Sequence, residues 1–345
     1  MEEYKNFLSW DYEQVVSCCT ETWNIPRYRA DQICQWIYQK KTFSFSEMTN
    51  LSRDLRAFLE KEVAIIPPYM IKKETSTMDG TQKFLWGLLD GENIESVLLP
   101  HGSYCTACIS TQVGCPLNCA FCATGQSGYV RNLETHEITG QFLAMEKYLG
   151  KDIQNIVFMG MGEPLLNTSN LFQTIRILNH PKMRKLGIRH MTVSTAGIVP
   201  GIIELSDSGL PVRLSVSLHA PNDSLRKKLM PVNATYPLSK LMESIKIYQE
   251  KTGERVTFEY LMLKDVNDKP EHAYEVSALL SGIDSYINLI PYNPVDSRFQ
   301  RSSKSDIKTF VEILKGLNIE VEIRKEKGTD INAACGQLRR NTREE

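Results

Sequence analysis

The chain has 345 residues, 42% of them hydrophobic and 23% charged, with a formal net charge of −1. These proportions fit an ordinary globular protein and exclude one dominated by disorder or a uniformly basic nucleic-acid binder. No run approaches the roughly 18 apolar residues of a membrane span, and "MEEYKNFLSW" lacks a signal-peptide pattern, so a cytoplasmic protein with no membrane partner is expected.

Residues 1–65 read as a helical domain. "DQICQWIYQK" and "LSRDLRAFLEKEV" carry apolar residues at helical spacing, with no strand-like alternation between them. "IIPPYM" breaks that pattern and marks a boundary. Over 66–103, the Asp-Gly pairs of "MDG" and "LDGEN" flank "TQKFLWGLL" and precede "IESVLLP", which predicts a short antiparallel β extension or linker. From 104 to 345 the rhythm is strand then helix. "CTACIST", "IQNIVFMG", "RHMTVST", "VRLSVSLH", "RVTFEYLML" and "SYINLIPY" read as strands, separated by helical segments such as "THEITGQFLAMEKYL" and "LSKLMESIKIYQEKT". Six β/α units predict an α/β fold around a parallel sheet, a partial or complete barrel that "IEVEIRKE" closes or extends. Sites in such folds gather at the carboxyl ends of the strands.

Nine cysteines need a reading, and five of them fall between Cys105 and Cys122. In a reducing cytosol they point to metal or redox chemistry rather than to a disulfide framework. "VGCPLNCAFCATG" places Cys115, Cys119 and Cys122 at CxxxCxxC spacing, so one short loop can wrap one metal site with soft, anionic ligands. Structural zinc and Fe–S irons want four ligands each, and this stretch offers three. Either a zinc knuckle takes its fourth ligand from elsewhere, or an iron is left open for a small molecule. Cys18, Cys19 and Cys34 lie in a helical segment and read as core or bystanders. On residue type alone, Cys335 reads as a small buried residue and Glu95 as a solvated strand carboxylate.

CxxxCxxC after the first strand of a β/α barrel resembles the radical S-adenosylmethionine enzymes. The resemblance implies a partial (β/α)6 barrel in which Cys115, Cys119 and Cys122 hold a [4Fe-4S] cluster and S-adenosyl-L-methionine completes the fourth iron. "FMGMGEPLLN" is similar to that family's Gly-rich segment, with Gly162 and with Glu163 near the cosubstrate's amino group. "TACISTQVGCPLNCAFCATGQSGYVRNL", "MTVSTAGIVPGI", "LSVSLHAPND", "LMPVN", "INLIPYNP" and "DINAACGQLR" together resemble the RlmN/Cfr group of RNA adenosine methyltransferases, and "RYRADQICQWIYQK" onward resembles that group's small helical domain.

This second resemblance implies roles. Cys335 receives a methyl group and later carries the carbon to an adenine; Cys108 resolves the resulting covalent adduct; Glu95 removes the substrate proton. Cys105 competes with Cys108 on residue type, and the group's spacing selects Cys108. The two thiols of the pair form a transient disulfide in this group. Ser194, Ser217, Leu218, His219 and Asn293 are implied cosubstrate contacts, each at or just past a predicted strand end. The implied substrates are adenosine C-2 in the peptidyl-transferase region of 23S rRNA and in the tRNA anticodon loop. The electron donor is expected to be of flavodoxin or ferredoxin type, and the enzyme to be a monomer. Two alternatives stand beside this reading: a C-8 methyltransferase that confers antibiotic resistance, and a non-catalytic metal-containing RNA-binding protein.

RNA needs positive surface despite the neutral total. Residues 27–73 hold nine Lys/Arg against five Asp/Glu, interleaved with Tyr28, Trp36, Tyr38, Phe43 and Phe45. "KMRKLGIRH", "LRKKLM" and "LRRNTR" add basic runs. Singly each reads as a solvated face; together they predict a funnel for an extruded base.

Overall fold

Three short helices open the structure, a computed structural model that describes residues 5–339. They are α1 (Tyr12–Ser17), α2 (Arg27–Cys34) and α3 (Arg53–Glu62). Asp11 and Gln14 form a capping box that starts α1, and the Ser52 hydroxyl caps α3 by accepting from the Leu55 N–H. Both α1 and α2 run on into a turn of π-helix, over Cys18–Thr22 and Gln35–Gln39. Cys19 and Cys34 are wholly buried in this small core beside Ile33, Ile37 and Tyr38. Tyr38 and Phe45 are core residues too, so of the aromatics interleaved with the basic run Tyr28 is exposed and Trp36 and Phe43 are half-buried. Trp36 lies half-buried under Lys40, whose ammonium sits 3.4 Å from the ring centre.

The two Asp-Gly turns do what their sequence implies. Gly80 and Gly91 adopt φ of 73° and 86°, closing the strands β1 (Tyr69–Thr75), β2 (Gln82–Gly87) and β3 (Asn93–His101) into an antiparallel meander. β3 then pairs antiparallel with β4 (Tyr104–Cys108), so the extension is continuous with the barrel sheet. A two-stranded ribbon of β5 (Gln112–Gly114) and β6 (Tyr129–Asn132) brackets the cysteine loop and its one-turn helix α4 (Ala123–Gln126).

Strands and helices alternate thereafter. α5 (Thr135–Leu149) leads to β7 (Asn155–Phe158), α6 (Thr168–Asn179) to β8 (Met191–Thr195), and α7 (Val199–Asp207) to β9 (Arg213–Ser217). Then α8 (Asp223–Leu229) and α9 (Leu238–Thr252) precede β10 (Val256–Met262), α10 (Pro270–Leu279) precedes β11 (Ser285–Pro291), and α11 (Lys304–Gly316) precedes β12 (Glu320–Ile323). The sheet runs β1-β2-β3-β4-β7-β8-β9-β10-β11-β12, parallel from β4 onward. β12 pairs only along β11, so "IEVEIRKE" extends the sheet and leaves a partial barrel. Every residue of β10 is buried, as expected for a strand covered on both faces.

One basic run changes meaning here. Arg184 of "KMRKLGIRH" is buried, and its Nε donates to both carboxylate oxygens of the fully buried Glu146, at 2.9 and 2.8 Å. Lys41, from the helical domain, reaches the same carboxylate at 3.9 Å and also pairs with Asp152. Arg184 therefore pairs inside the barrel segment with the carboxylate that Lys41 of the helical domain also reaches, and its buried guanidinium is not presented to RNA.

Candidate active site

Two cavities meet at the strand ends. The smaller, about 160 Å³, is bordered by Cys115, Cys119 and Cys122, by Gly162 and Glu163 after β7, and by Ser194, Ser217 and His219 at the ends of β8 and β9. The larger, about 550 Å³, takes in Cys108, Thr106 and Asn293. Cys335 and Arg324 border both. Leu218 is wholly buried and borders neither; it contributes backbone, its N–H donating to the Glu259 carbonyl at 3.0 Å.

The cysteine loop is shaped by its neighbours. Gly114, just before Cys115, has φ of 76°, and a Cβ there would lie 1.9 Å from the Gly128 carbonyl oxygen, so only glycine fits. The Cys115 N–H then donates to that same carbonyl at 2.9 Å. Asn118 sits in the left-handed region, and the Cys122 N–H turns back to the Cys119 carbonyl. Burial, with smaller contributions from the neighbouring thiols and Glu163, pushes Cys115 up to about 12 and Cys119 well above the ordinary thiol value. Without a cation these thiols stay protonated, and a metal held there would displace their protons.

Glu163 faces the thiols and is 3% exposed. Oε1 accepts from the Leu165 N–H at 3.0 Å and Oε2 from the Ala196 N–H at 2.7 Å, which aims the carboxylate across the strand ends. Burial raises it to about 7 against the pull of those donors. Gly162 has φ of 102°, and a Cβ there would come within 2.5 Å of Gln112, whose side chain holds the Glu163 N–H at 2.8 Å. His219 is buried, which lowers it to about 3, and it is neutral. Its Nδ1 accepts from the Leu261 N–H at 3.0 Å, so the ring proton is on Nε2 and available as a donor.

Arg226 binds these loops together, a role its sequence context hid. In "LRKKLM" it reads as one charge of a surface run, yet it is wholly buried. Its guanidinium donates to the carbonyls of Leu218, Ala196 and Ser217 and to the Asn233 amide oxygen, at 2.7 to 3.1 Å. Arg226→Met should cost about 3–5 kcal/mol of unfolding free energy in urea titrations, because these buried acceptors lose their partner.

Pairing register assembles the second group. On β4 alternate residues Tyr104, Thr106 and Cys108 border the larger cavity, so Cys105 faces the other way. Cys108 stands opposite Val97 on β3, and Glu95 lies two residues along on the same face as Val97. Glu95 is 4% exposed. Its Oε2 accepts from the Arg339 N–H at 3.0 Å, and Lys83 lies 3.4 Å from Oε1. Burial raises it above the ordinary carboxylate range in spite of both. Cys108 is pushed up to about 12 by burial and then by Cys335, with Arg324 opposing. The tail that carries Cys335 is anchored to the cysteine loop itself, with Ala123 N–H donating to the Gly336 carbonyl at 2.8 Å and the Thr124 hydroxyl to that of Leu338 at 2.5 Å. Of "LRRNTR", only Leu338 and Arg339 lie within the described residues.

The residues present fit a cluster and its cosubstrate. Three soft thiols share one cavity with a carboxylate, a neutral imidazole and a glycine cradle that a Cβ would fill. Glu259 borders the same cavity with its Oε2 buried and free of hydrogen bonds, 3.7 Å from Arg324, while Oε1 accepts from Ser215 and Asn288. Among the described residues, no three His, Cys, Asp or Glu side chains are gathered round a single-ion position. Neither Arg324 nor Glu259 stands out in sequence, since each lies in a strand-like run with no motif around it.

Known proteins resemble this chain along nearly its whole length. The family profile described as "Radical SAM superfamily" matches residues 109–276, and "Ribosomal RNA large subunit methyltransferase N-terminal domain" matches residues 5–66. A "Probable dual-specificity RNA methyltransferase RlmN" of Petrotoga mobilis is 51% identical over 335 residues, 97% of this chain and 96% of that protein. The like-named protein of Thermotoga maritima is 51% identical over 97% of both chains. The crystal structure of a radical SAM methyltransferase from Sphaerobacter thermophilus superposes with a TM-score of 0.92 at 39% identity, covering 97% of this chain and 99% of that one. The chain therefore belongs to the RlmN family of radical S-adenosylmethionine RNA methyltransferases, enzymes that work with a [4Fe-4S] cluster and S-adenosylmethionine.

Proposed function

We propose that this enzyme methylates C-2 of adenosine in the peptidyl-transferase region of 23S rRNA and in the tRNA anticodon loop, through a methylated Cys335. One observation carries the reading: Cys335 borders both the cavity of the three cysteines and the cavity of Cys108. A residue in that position can receive a group on one side and deliver it on the other. The cluster and cosubstrate, when bound, supply the methyl group and the radical chemistry that an unreactive ring C–H demands. Cys115, Cys119 and Cys122 hold the cluster. Glu163 takes the cosubstrate's amino group, with Ser194, Ser217 and His219 at its other polar edges and the backbone of Gly162 and Leu218 shaping the cradle. Asn293 approaches from the larger cavity.

In this scheme Cys108 displaces the methylene carbon from Cys335, and the proton removed from the ring passes to Glu95. Burial makes this carboxylate a stronger base than an exposed one. The one-electron donor is of flavodoxin or ferredoxin type. Tyr28 with the Arg29 guanidinium 4.8 Å over its ring, and Trp36 with Lys40, supply aromatic and cationic surface for RNA on the helical domain.

Nuclease digestion of modified RNA tests the assignment: 2-methyladenosine is expected, and 8-methyladenosine would move the protein to the C-8 reading. Pro164, in "GMGEPL", favours C-2. A second test follows from Glu163. Below about pH 7 its carboxyl is protonated and loses its attraction for an ammonium. Cosubstrate affinity should therefore weaken about tenfold between pH 8 and pH 6 by equilibrium dialysis, and Glu163→Gln should bind weakly with no such dependence.

A further inference from the structure

The larger cavity, on whose side Cys335 delivers its carbon, has a basic mouth. Tyr104 begins β4, Asn155 begins β7, and Arg213 begins β9; all border the cavity along with Cys108 at the far end of β4. It therefore runs the length of the sheet, opening at the amino ends of the strands, opposite the cysteine loop. Cys108 borders this cavity and not the smaller one. The lining carries Arg189, Arg213, Arg324, Lys325 and Lys327 against Glu322 and Glu326. Glu326 is already paired with Arg301, and Arg189 shares Glu254 at 3.1 Å. Arg213 and Lys325 stand exposed.

We propose that this basic mouth admits a small anionic thiol that reduces the Cys108–Cys335 disulfide between turnovers. The proposal rests on the roles assigned above to those two thiols. When Cys108 displaces the methylene carbon, an S–S bond forms, an S–C bond breaks, and the electron pair leaves with the substrate carbon. The protein pair is then two electrons more oxidised than two thiols and cannot turn over again until reduced. An entering thiolate attacks one sulfur, forming a mixed disulfide and freeing one protein thiolate. A second thiolate attacks the sulfur that entered, freeing the other protein thiolate and leaving as a small-molecule disulfide. The two protons lost by the small thiols end on the protein pair.

Burial and charge select this reductant. Cys108 is 8% exposed and Cys335 is partly exposed, and both face a cavity of about 550 Å³ that accommodates a small molecule. Cys122 and Thr124 of the cysteine loop border the same cavity. A cation-lined cleft raises the local concentration of anions, and the effect weakens with salt.

The test starts from anaerobic holoenzyme oxidised with diamide, the disulfide being checked by peptide mass. Re-reduction is then timed with mercaptoethanesulfonate, mercaptoethanol and cysteamine, each compared per thiolate. The anionic thiol should be about tenfold faster than the cationic one. That advantage should shrink in high salt, and vanish in Arg213→Glu with Lys325→Glu. Single-turnover methyl transfer by the pre-reduced variant should stay within about twofold of wild type. Equal rates for the three thiols, or an order unchanged in the variant, would overturn the route while leaving the thiol pair intact. Methyl transfer that falls as far as re-reduction would overturn it too, and assign the mouth to RNA phosphates. If no disulfide forms at all, the pairing of Cys108 with Cys335 fails and the route with it.

Discussion

Cys108→Ala enzyme is expected to accumulate RNA joined covalently to Cys335, with release of methylated product reduced at least about a thousand-fold. The physical reason is the division of labour between two sulfurs. Cys335 can still be methylated and still deliver its carbon, because it borders the smaller cavity independently of Cys108. In the proposed scheme what is lost is the attacking thiol on β4; the other thiols bordering that cavity are Cys335 itself and Cys122, a proposed cluster ligand. Cys105 is buried on the opposite face of the same strand, where its N–H is held by the Gln154 side chain at 2.9 Å. A gel shift that survives denaturation, followed by peptide mass at Cys335, reads the adduct directly. If Cys108→Ala turned over freely, the assignment of the resolving thiol would be wrong. Cys105→Ala, by contrast, should retain activity, since its side chain does not border either cavity.

Cys119→Ala is expected to abolish the broad iron–sulfur absorption band after anaerobic reconstitution and to lower reductive cleavage of S-adenosylmethionine by at least about a hundred-fold. The loop offers three thiols and no spare. Burial, then Cys122, Cys115 and Glu163, hold the Cys119 thiol protonated until iron binds. Removing it leaves two ligands and a cavity that cannot draw another sulfur in, because Gly114 and the Cys115 N–H lock the loop to Gly128. Circular dichroism should be unchanged, as the loop's backbone bonds do not pass through the Cys119 side chain. An intact absorption band in this variant would remove Cys119 from the ligand set.

Much of the barrel was legible because its signals are local. Each predicted strand from "CTACIST" to "SYINLIPY" overlaps an observed one, since β-branched runs between helical periods report the environment of their own residues. The Asp-Gly turns were legible for the same reason, being four-residue events. The basic runs misled where the partner was distant. Arg184 and Arg226 look like their lysine neighbours in sequence, yet one meets Glu146 and the other meets three carbonyls from two loops.

The sequence by itself determined the order of strands and helices, the CxxxCxxC loop after the first parallel strand, and the Gly-Glu turn after the second. Those depend on spacing within a few residues. Only the tertiary structure decided that Cys335 borders two cavities, that Cys108 rather than Cys105 faces it, and that Arg324 sits between them. These depend on strand register, where a shift of one residue turns every side chain to the other face, and on how a tail far along the chain is anchored to the cysteine loop.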